Sequence, residues 1–158
     1  MSPAAREAEF ELRRLVESIH FENPVAVTLT MKKRAGSQAA DSIVASNNFR
    51  HFRNRLEHAI LGSAAKRHGR RLSMIAVLEM SADHRLHYHC TIDRPYHCSF
   101  ERLSNTIREQ WQKTDFGYRQ VDIQDQPDTG WTDYILKQRQ KGSLFDSIDW
   151  ANCQLIAE

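Results

Sequence analysis

The sequence predicts an α+β fold in which helices flank an antiparallel sheet. Two observations carry that prediction. Four short runs have the apolar alternation of strands, and two of them, 73–80 and 86–93, are joined by the turn-like Ser81-Ala82-Asp83-His84. Between and around these runs lie longer stretches whose apolar residues recur three and four apart, as on one face of a helix. The order is helix, strand, helix, strand, strand, helix, strand, helix. A length of 158 residues with 41% hydrophobic content suits one globular domain, 1–158, around a single core.

Taken in order, Leu12, Leu15, Val16 and Ile19 mark an amphipathic helix over residues 5–19, which Asn23-Pro24 ends. Val25 to Met31 alternates as a strand. Lys32-Lys33-Arg34-Ala35-Gly36-Ser37 leaves it as a basic, flexible loop. A long helix follows from Asp41 or Ser42, with Ile43, Phe49, Phe52, Leu56 and Ile60 on its inner face and Arg50, His51, Arg53, Asn54 and Arg55 on its outer face. It stops near Gly62, and Lys66-Arg67-His68-Gly69-Arg70-Arg71 forms a second basic connector. Ser99 suits the N-cap of a helix with the stripe Phe100, Leu103, Ile107 and Trp111. Tyr118 to Gln124 reads as a strand. After Gln126-Pro127-Asp128-Thr129-Gly130 a helix runs from Trp131 to about Lys141. Leu144, Phe145, Ile148 and Trp150 suggest a last packed turn.

No apolar run approaches the roughly 18 residues of a transmembrane helix, and residues 1–11 contain no apolar stretch of a secretory signal. Cys90, Cys98 and Cys153 form no CxxC pair and leave an odd one, which points to reduced thiols and a cytoplasmic protein. His97-Cys98 has no zinc-finger spacing, so both read as packing or surface residues.

The formal net charge of +2 hides an uneven distribution. From Lys32 to Arg71, ten Lys and Arg face only Asp41 and Glu57, a local +8, so the remainder carries about −6. That asymmetry predicts one nucleic-acid face. Its candidate DNA contacts are Lys32, Lys33, Arg34, Arg50, Arg53, Lys66, Arg67, Arg70 and Arg71.

The chemistry centres on Leu86-His87-Tyr88-His89-Cys90. Alternation along a strand puts His87 and His89 on one face, about 7 Å apart, as half of a divalent-metal site. Glu79 lies eight residues before His87. In a hairpin with an odd-numbered loop it falls opposite His87 on the same face. Two imidazoles and a carboxylate make a three-ligand set with open positions, suited to a metal that also touches substrate oxygens. Further on, Tyr134 and Lys137 stand three apart and share a helix face.

In that order these residues resemble the single-tyrosine HUH endonucleases, relatives of rolling-circle replication initiator (Rep) proteins. Val27-Thr28-Leu29-Thr30 is similar to their first motif, His87-Tyr88-His89 to their second and Tyr134-Ile135-Leu136-Lys137 to their third. The match spans Val27 to Lys137. The resemblance implies a ferredoxin-like split βαβ core with the metal histidines on a central strand and the tyrosine helix packed across it. It also implies Glu79, His87 and His89 as ligands of Mg²⁺ or Mn²⁺, Tyr134 as the nucleophile and Lys137 as an auxiliary. The expected substrate is single-stranded DNA at an origin or hairpin, nicked and rejoined through a 5′-phosphotyrosine. No GxxxxGK[ST] is present, so a separate helicase would be the partner in replication. Two alternatives stand beside this reading: a single-tyrosine transposase and a non-catalytic DNA-binding relative.

Overall fold

The computed structural model describes residues 2–125, 135 and 147–155. Helix α1, Pro3–Ser18, is followed by strand β1, Pro24–Met31, a small hairpin of β2, Arg34–Ala35, and β3, Gln38–Ala39, and helix α2, Ser42–Leu61. The short α3, Ser63–Arg67, precedes β4, Met74–Met80, and β5, Leu86–Asp93. Helix α4, Phe100–Gln112, leads into β6, Gly117–Asp125, and a 3₁₀ turn spans Trp150–Asn152. The helix expected from Trp131 to Lys141 lies outside the described residues except for Ile135, as do Leu144 and Phe145.

Four strands form one antiparallel sheet in the order β4-β5-β1-β6. β4 therefore runs parallel to β1 with β5 between them, and β6 parallel to β5 with β1 between them. With α2 and α4 as the two crossovers, these are the interlocked split βαβ units of a ferredoxin-like fold. The predicted class holds, and the histidines lie on a central strand.

The sheet has two unlike faces, set by alternation along each strand. One carries Val25, Val27, Leu29 and Met31 of β1, and Tyr88, Cys90 and Ile92 of β5, into the main core against α2 and α4. There Phe52 packs edge-on to Trp111 at 5.4 Å, and the Trp111 indole N–H donates to the Thr30 carbonyl at 2.9 Å. Gly117 admits this arrangement, because a Cβ there would overlap the Trp111 carbonyl. The other face carries Ile75 and Val77 into a second, smaller core with Leu12, Val16, Phe21, Ile135 and Ile148.

The helix ends follow the expected chemistry. The Asp41 carboxylate accepts from the Val44 N–H at 2.8 Å, Ser99 Oγ accepts from the Arg102 N–H at 3.1 Å, and Gly62 closes α2 with φ of 60°.

Four local expectations need correction. The basic loop after β1 is a hairpin, turned at Gly36, whose φ of 59° a two-residue connection requires. Ile43 is 72% exposed, because it sits in the first turn of α2, before the helix reaches the sheet. Leu15 and Trp150 are exposed as well, at 51% and 42%. Arg53 does not stand outside: its side chain is 13% exposed, with Nε 3.9 Å from the buried Glu57 and Nη1 donating to Asn152 Oδ1 at 3.4 Å.

The outer edge of β4 is covered by the segment 147–155. Ile148 bridges Val77 and Gln154 bridges Met74, both antiparallel. Asp149 anchors this segment by accepting from Tyr88 Oη at 2.6 Å and Asn152 Nδ2 at 2.8 Å, with Ser46 Oγ donating to it at 3.2 Å.

Candidate active site

The second sheet face carries the predicted ligands. Pairing of β4 with β5 sets Glu79 opposite His87 and Val77 opposite His89, as the odd-numbered loop requires. Pairing of β1 with β5 sets Thr30 opposite His87 and Thr28 opposite His89. The row through His89 continues over Thr28 to Asp122 of β6.

The strand fixes the two imidazoles as a near-parallel pair, with ring centroids 6.5 Å apart and planes at 23°. Each is also held from across the sheet. Thr30 Oγ1 lies 3.2 Å from His87 Nδ1, and Thr28 Oγ1 lies 3.3 Å from His89 Nδ1. A threonine at Nδ1 leaves Nε2 as the outward nitrogen, which is how a hydrogen-bonded partner orients a metal-binding imidazole.

Glu79 leans toward the diagonal histidine: its Oε2 is 3.7 Å from His89 Nε2. Burial and, less, the neighbouring His87 lower the His89 pKa to about 4. His89 is therefore neutral at pH 7, and its approach to Glu79 is not an ion pair. Burial moves Glu79 upward and His87 downward. Two neutral imidazoles and a carboxylate short of good donors are a donor set prepared for a cation.

The fit to a divalent ion is partial as the side chains stand. Two atoms that each lie about 2.1 Å from one ion can be at most about 4.2 Å apart, and the Glu79–His89 separation is within that limit. His87 Nε2 instead meets Ser81 Oγ at 3.1 Å. Among the described residues, no three His, Cys, Asp or Glu side chains converge closely enough to hold an ion together. A modest rotation of His87 away from Ser81 would complete the set.

The loop from Ser81 to Arg85 is itself tightly knit. Ser81 N–H donates to the Arg85 carbonyl at 2.9 Å, and Ser81 Oγ donates to the Asp83 carboxylate. His84 turns the chain at φ 62°. Arg85 reaches across to donate to the Met31 carbonyl at 2.9 Å and stacks over the Tyr118 ring, 4.6 Å from its centroid. Sequence reasoning assigned no role to Ser81, Arg85, Tyr118 or the two threonine hydroxyls. The threonines had a signal, polar residues at alternate positions of an apolar strand. Its meaning needed the pairing of β1 with β5, strands far apart in the chain.

Tyr134 and Lys137 lie outside the described residues. Ile135 is described: it is fully buried in the cluster with Ile75 and Val77, on the sheet face that carries His89 and Glu79.

The basic residues do not form one face. β1 runs toward the histidine end of the sheet and α2 runs back, so the two basic connectors are sent to opposite ends. Lys32, Lys33 and Arg34 are exposed near the histidine end, where Lys32 N–H donates to the Phe116 carbonyl. Lys66, Arg67, Arg70 and Arg71 lie at the far end, Arg71 with Nε 3.9 Å from Glu57. Arg50 is exposed on α2 between them, and Arg53 is withdrawn as described.

The neutral state of His89 gives a testable pH dependence. The unfolded imidazole takes up a proton near pH 6.5, whereas the folded one does so only near 4. The unfolded state therefore binds more protons between these values, and stability falls as pH drops from about 6.5 toward 4. The loss from His89 should reach on the order of 2–3 kcal/mol, after allowance for partial solvent access. Urea melts of wild type and His89→Gln, both with chelator, should diverge in slope across this range. Identical pH profiles would refute a neutral, desolvated His89.

Among the described residues no helix is long and apolar enough to cross a membrane. No curated protein and no solved structure gives a significant match to the chain. A family model does match, over residues 24–143, from the first residue of β1 past Tyr134 and Lys137. That covers about three quarters of the sequence, including the whole four-stranded sheet. The chain thus belongs to the ORF2 family of replication-associated proteins.

Proposed function

We propose that this chain nicks and rejoins single-stranded DNA to initiate rolling-circle replication, with Tyr134 as nucleophile. The observation that carries the reading is the convergence of Glu79 and a neutral His89 on one sheet face, with His87 beside them, in a chain of a replication-associated family. Ile135, packed on that face, supports placing the nucleophile's segment there.

Glu79, His87 and His89 would hold Mg²⁺ or Mn²⁺, which when bound supplies charge neutralisation at the scissile phosphate. Thr28 and Thr30 fix the imidazole planes, so little reorientation is left for the moment of reaction. The Tyr134 oxygen gives up its proton and forms a bond to phosphorus as the bond from phosphorus to the 3′ oxygen breaks. The departing oxygen takes up a proton to become a 3′ hydroxyl. The number of phosphodiester bonds is conserved, so the reverse attack rejoins the strand without ATP. A phenol with a reference pKa near 10 needs assistance to act at neutral pH, and Lys137, one helical turn on, is the candidate to stabilise its anion. A single strand is the expected substrate because in-line approach to phosphorus is obstructed in stacked duplex.

Which DNA end stays with the protein tests this directly. Label on the 5′ side of the new break should leave as a free 3′ hydroxyl, and label beyond it should follow the protein into a covalent adduct. An acceptor strand with the matching 3′ end should be joined without ATP. Protein on the 3′ side, or two free ends and no joining, would reject the mechanism. DNA binding without any cleavage would favour the non-catalytic alternative.

The ligand assignment is tested separately. His87→Ala and His89→Ala should each slow cleavage on the order of 10²–10³-fold, as expected when several kcal/mol of transition-state stabilisation is removed. Glu79→Ala should have a smaller effect, since water can replace one ligand of three. Full activity in EDTA would eliminate the metal.

A further inference from the structure

The end of the sheet opposite the histidines holds a cavity of about 790 Å³, open to solvent, where β1 and β4 begin and β5 ends. Its walls include Arg70, Arg71, Arg94, His68, His97 and Tyr96. Two acids share them, Glu22 and Asp93. Both oxygens of Asp93 are already engaged, accepting from the Glu22 N–H at 3.3 Å and the Asn23 N–H at 2.7 Å. The guanidinium of Arg94 donates to the Cys98 carbonyl through Nη1 at 2.7 Å, but its buried Nε has no hydrogen-bond partner. Arg70 is exposed, and Lys66 and Arg67 of α3 extend the positive surface.

Tyr96 completes the arrangement. It is 89% exposed, the most exposed large hydrophobic side chain among the described residues, and its ring stands edge-on to that of His97 at 5.9 Å. A flat aromatic ring left in water beside guanidinium donors lacking internal acceptors is the pairing that holds a single polynucleotide strand, ring against base and cation against phosphate. Duplex offers no free base face to such a ring. The site is rigidly connected to the candidate active site, because Asp93 and His89 belong to the same strand, about 13 Å apart at its rise per residue.

We propose that this groove is a second DNA-binding site, which takes a single-stranded segment away from the cleaved phosphate by stacking a base on Tyr96 and contacting phosphates through Arg70 and Arg94. It rests on the DNA-processing reading above and deepens it. The chain would grip its substrate at both ends of β5 and so fix the register of the strand across the histidines.

The test is fluorescence anisotropy with a labelled oligothymidylate of roughly 25 nucleotides, in chelator so that no cleavage occurs. Tyr96→Ala should weaken binding about tenfold, and Tyr96→Trp should restore it to within about twofold of wild type. Arg70→Ala should lower the salt slope by about 0.7. Both residues are exposed, so folding should be preserved, with circular dichroism as the check. Photocrosslinking of the bromodeoxyuridine-substituted strand should label Tyr96 or its neighbours. Tyr96→Ala and Arg70→Ala binding within about twofold of wild type, or crosslinks confined to the histidine end, would overturn the proposal. Equal losses on duplex of the same length would also overturn it, since stacking would then play no part. Because this assay needs no chemistry, it stands or falls independently of nicking.

Discussion

Tyr134→Phe is expected to bind single-stranded DNA as wild type does and to form no covalent adduct. The substitution removes one oxygen and leaves the ring, so packing and electrostatics elsewhere should be unchanged. The phosphodiester exchange has no substitute nucleophile of equal standing. Removal of a nucleophile that forms a covalent intermediate leaves only background hydrolysis, a loss of roughly 10⁴-fold or more. Adduct and ATP-independent joining should vanish together, since one oxygen performs both steps. An undiminished adduct would move the assignment to another tyrosine. Tyr118 is then the first to test, because Arg85 stacks over its ring and Arg85 stands two residues before His87. Tyr88 is unsuited, being buried on the opposite face with its hydroxyl donating to Asp149 and its pKa driven up by that burial.

The largest stability effect should come from Trp111→Ala. The indole is fully buried between α2 and the sheet, edge-on to Phe52, and donates to the Thr30 carbonyl. Loss of a buried Trp costs about 3–5 kcal/mol through lost contacts and the cavity left behind. That is a large share of the roughly 5–15 kcal/mol that holds a domain folded. Trp111→Phe should cost less, because it keeps most of the packing and loses the hydrogen bond. Since Thr30 also places its hydroxyl at His87 Nδ1, Trp111→Phe should in addition disturb the first imidazole more than the second. Chemical denaturation measures the first effect, and histidine NMR titration the second. An alanine variant within about 1 kcal/mol of wild type would contradict the described core.

The extent to which the sequence foretold this arrangement differs with the range of the interaction. Strand alternation placed Val27, Leu29, Tyr88, Cys90 and Ile92 on the core side, and it put His87 and His89 on the other. The odd length of the loop after Met80 set Glu79 opposite His87. These are local properties, decided by a period of two and by chain counting. What failed depended on residues distant in sequence. Arg53 seemed an outer-face cation because its helical position says nothing of Asn152, with which the segment 147–155 closes over it. Glu57 seemed a surface acid, yet it accepts from the Leu72 N–H at 2.7 Å and is buried. The +8 region was read as one face, and the strand-then-helix reversal divides it between two ends. Glu79 also pairs diagonally, closer to His89 than its register partner implied. Backbone register limits which side chains can meet, and rotamers then choose among them.

The covered edge of β4 has a consequence for how the protein comes off the ribosome. Cys153 follows Ala76 by 77 residues, yet the two are in contact along that edge. Synthesis runs from the N-terminus, so β4 and the hairpin it forms with β5 are made long before the segment that closes their open side. Until then β4 presents unpaired backbone groups, the feature of nascent sheets that invites mispairing with other chains. Ile135 and Ile148 join the same small core as Val77, so the layer over the histidine face is also completed late. A nascent chain would carry its histidine pair and its first basic connector well before that layer is in place. Under this order of events, the capacity to break a DNA strand arises only when translation has passed the closing segment, and truncated products remain without it.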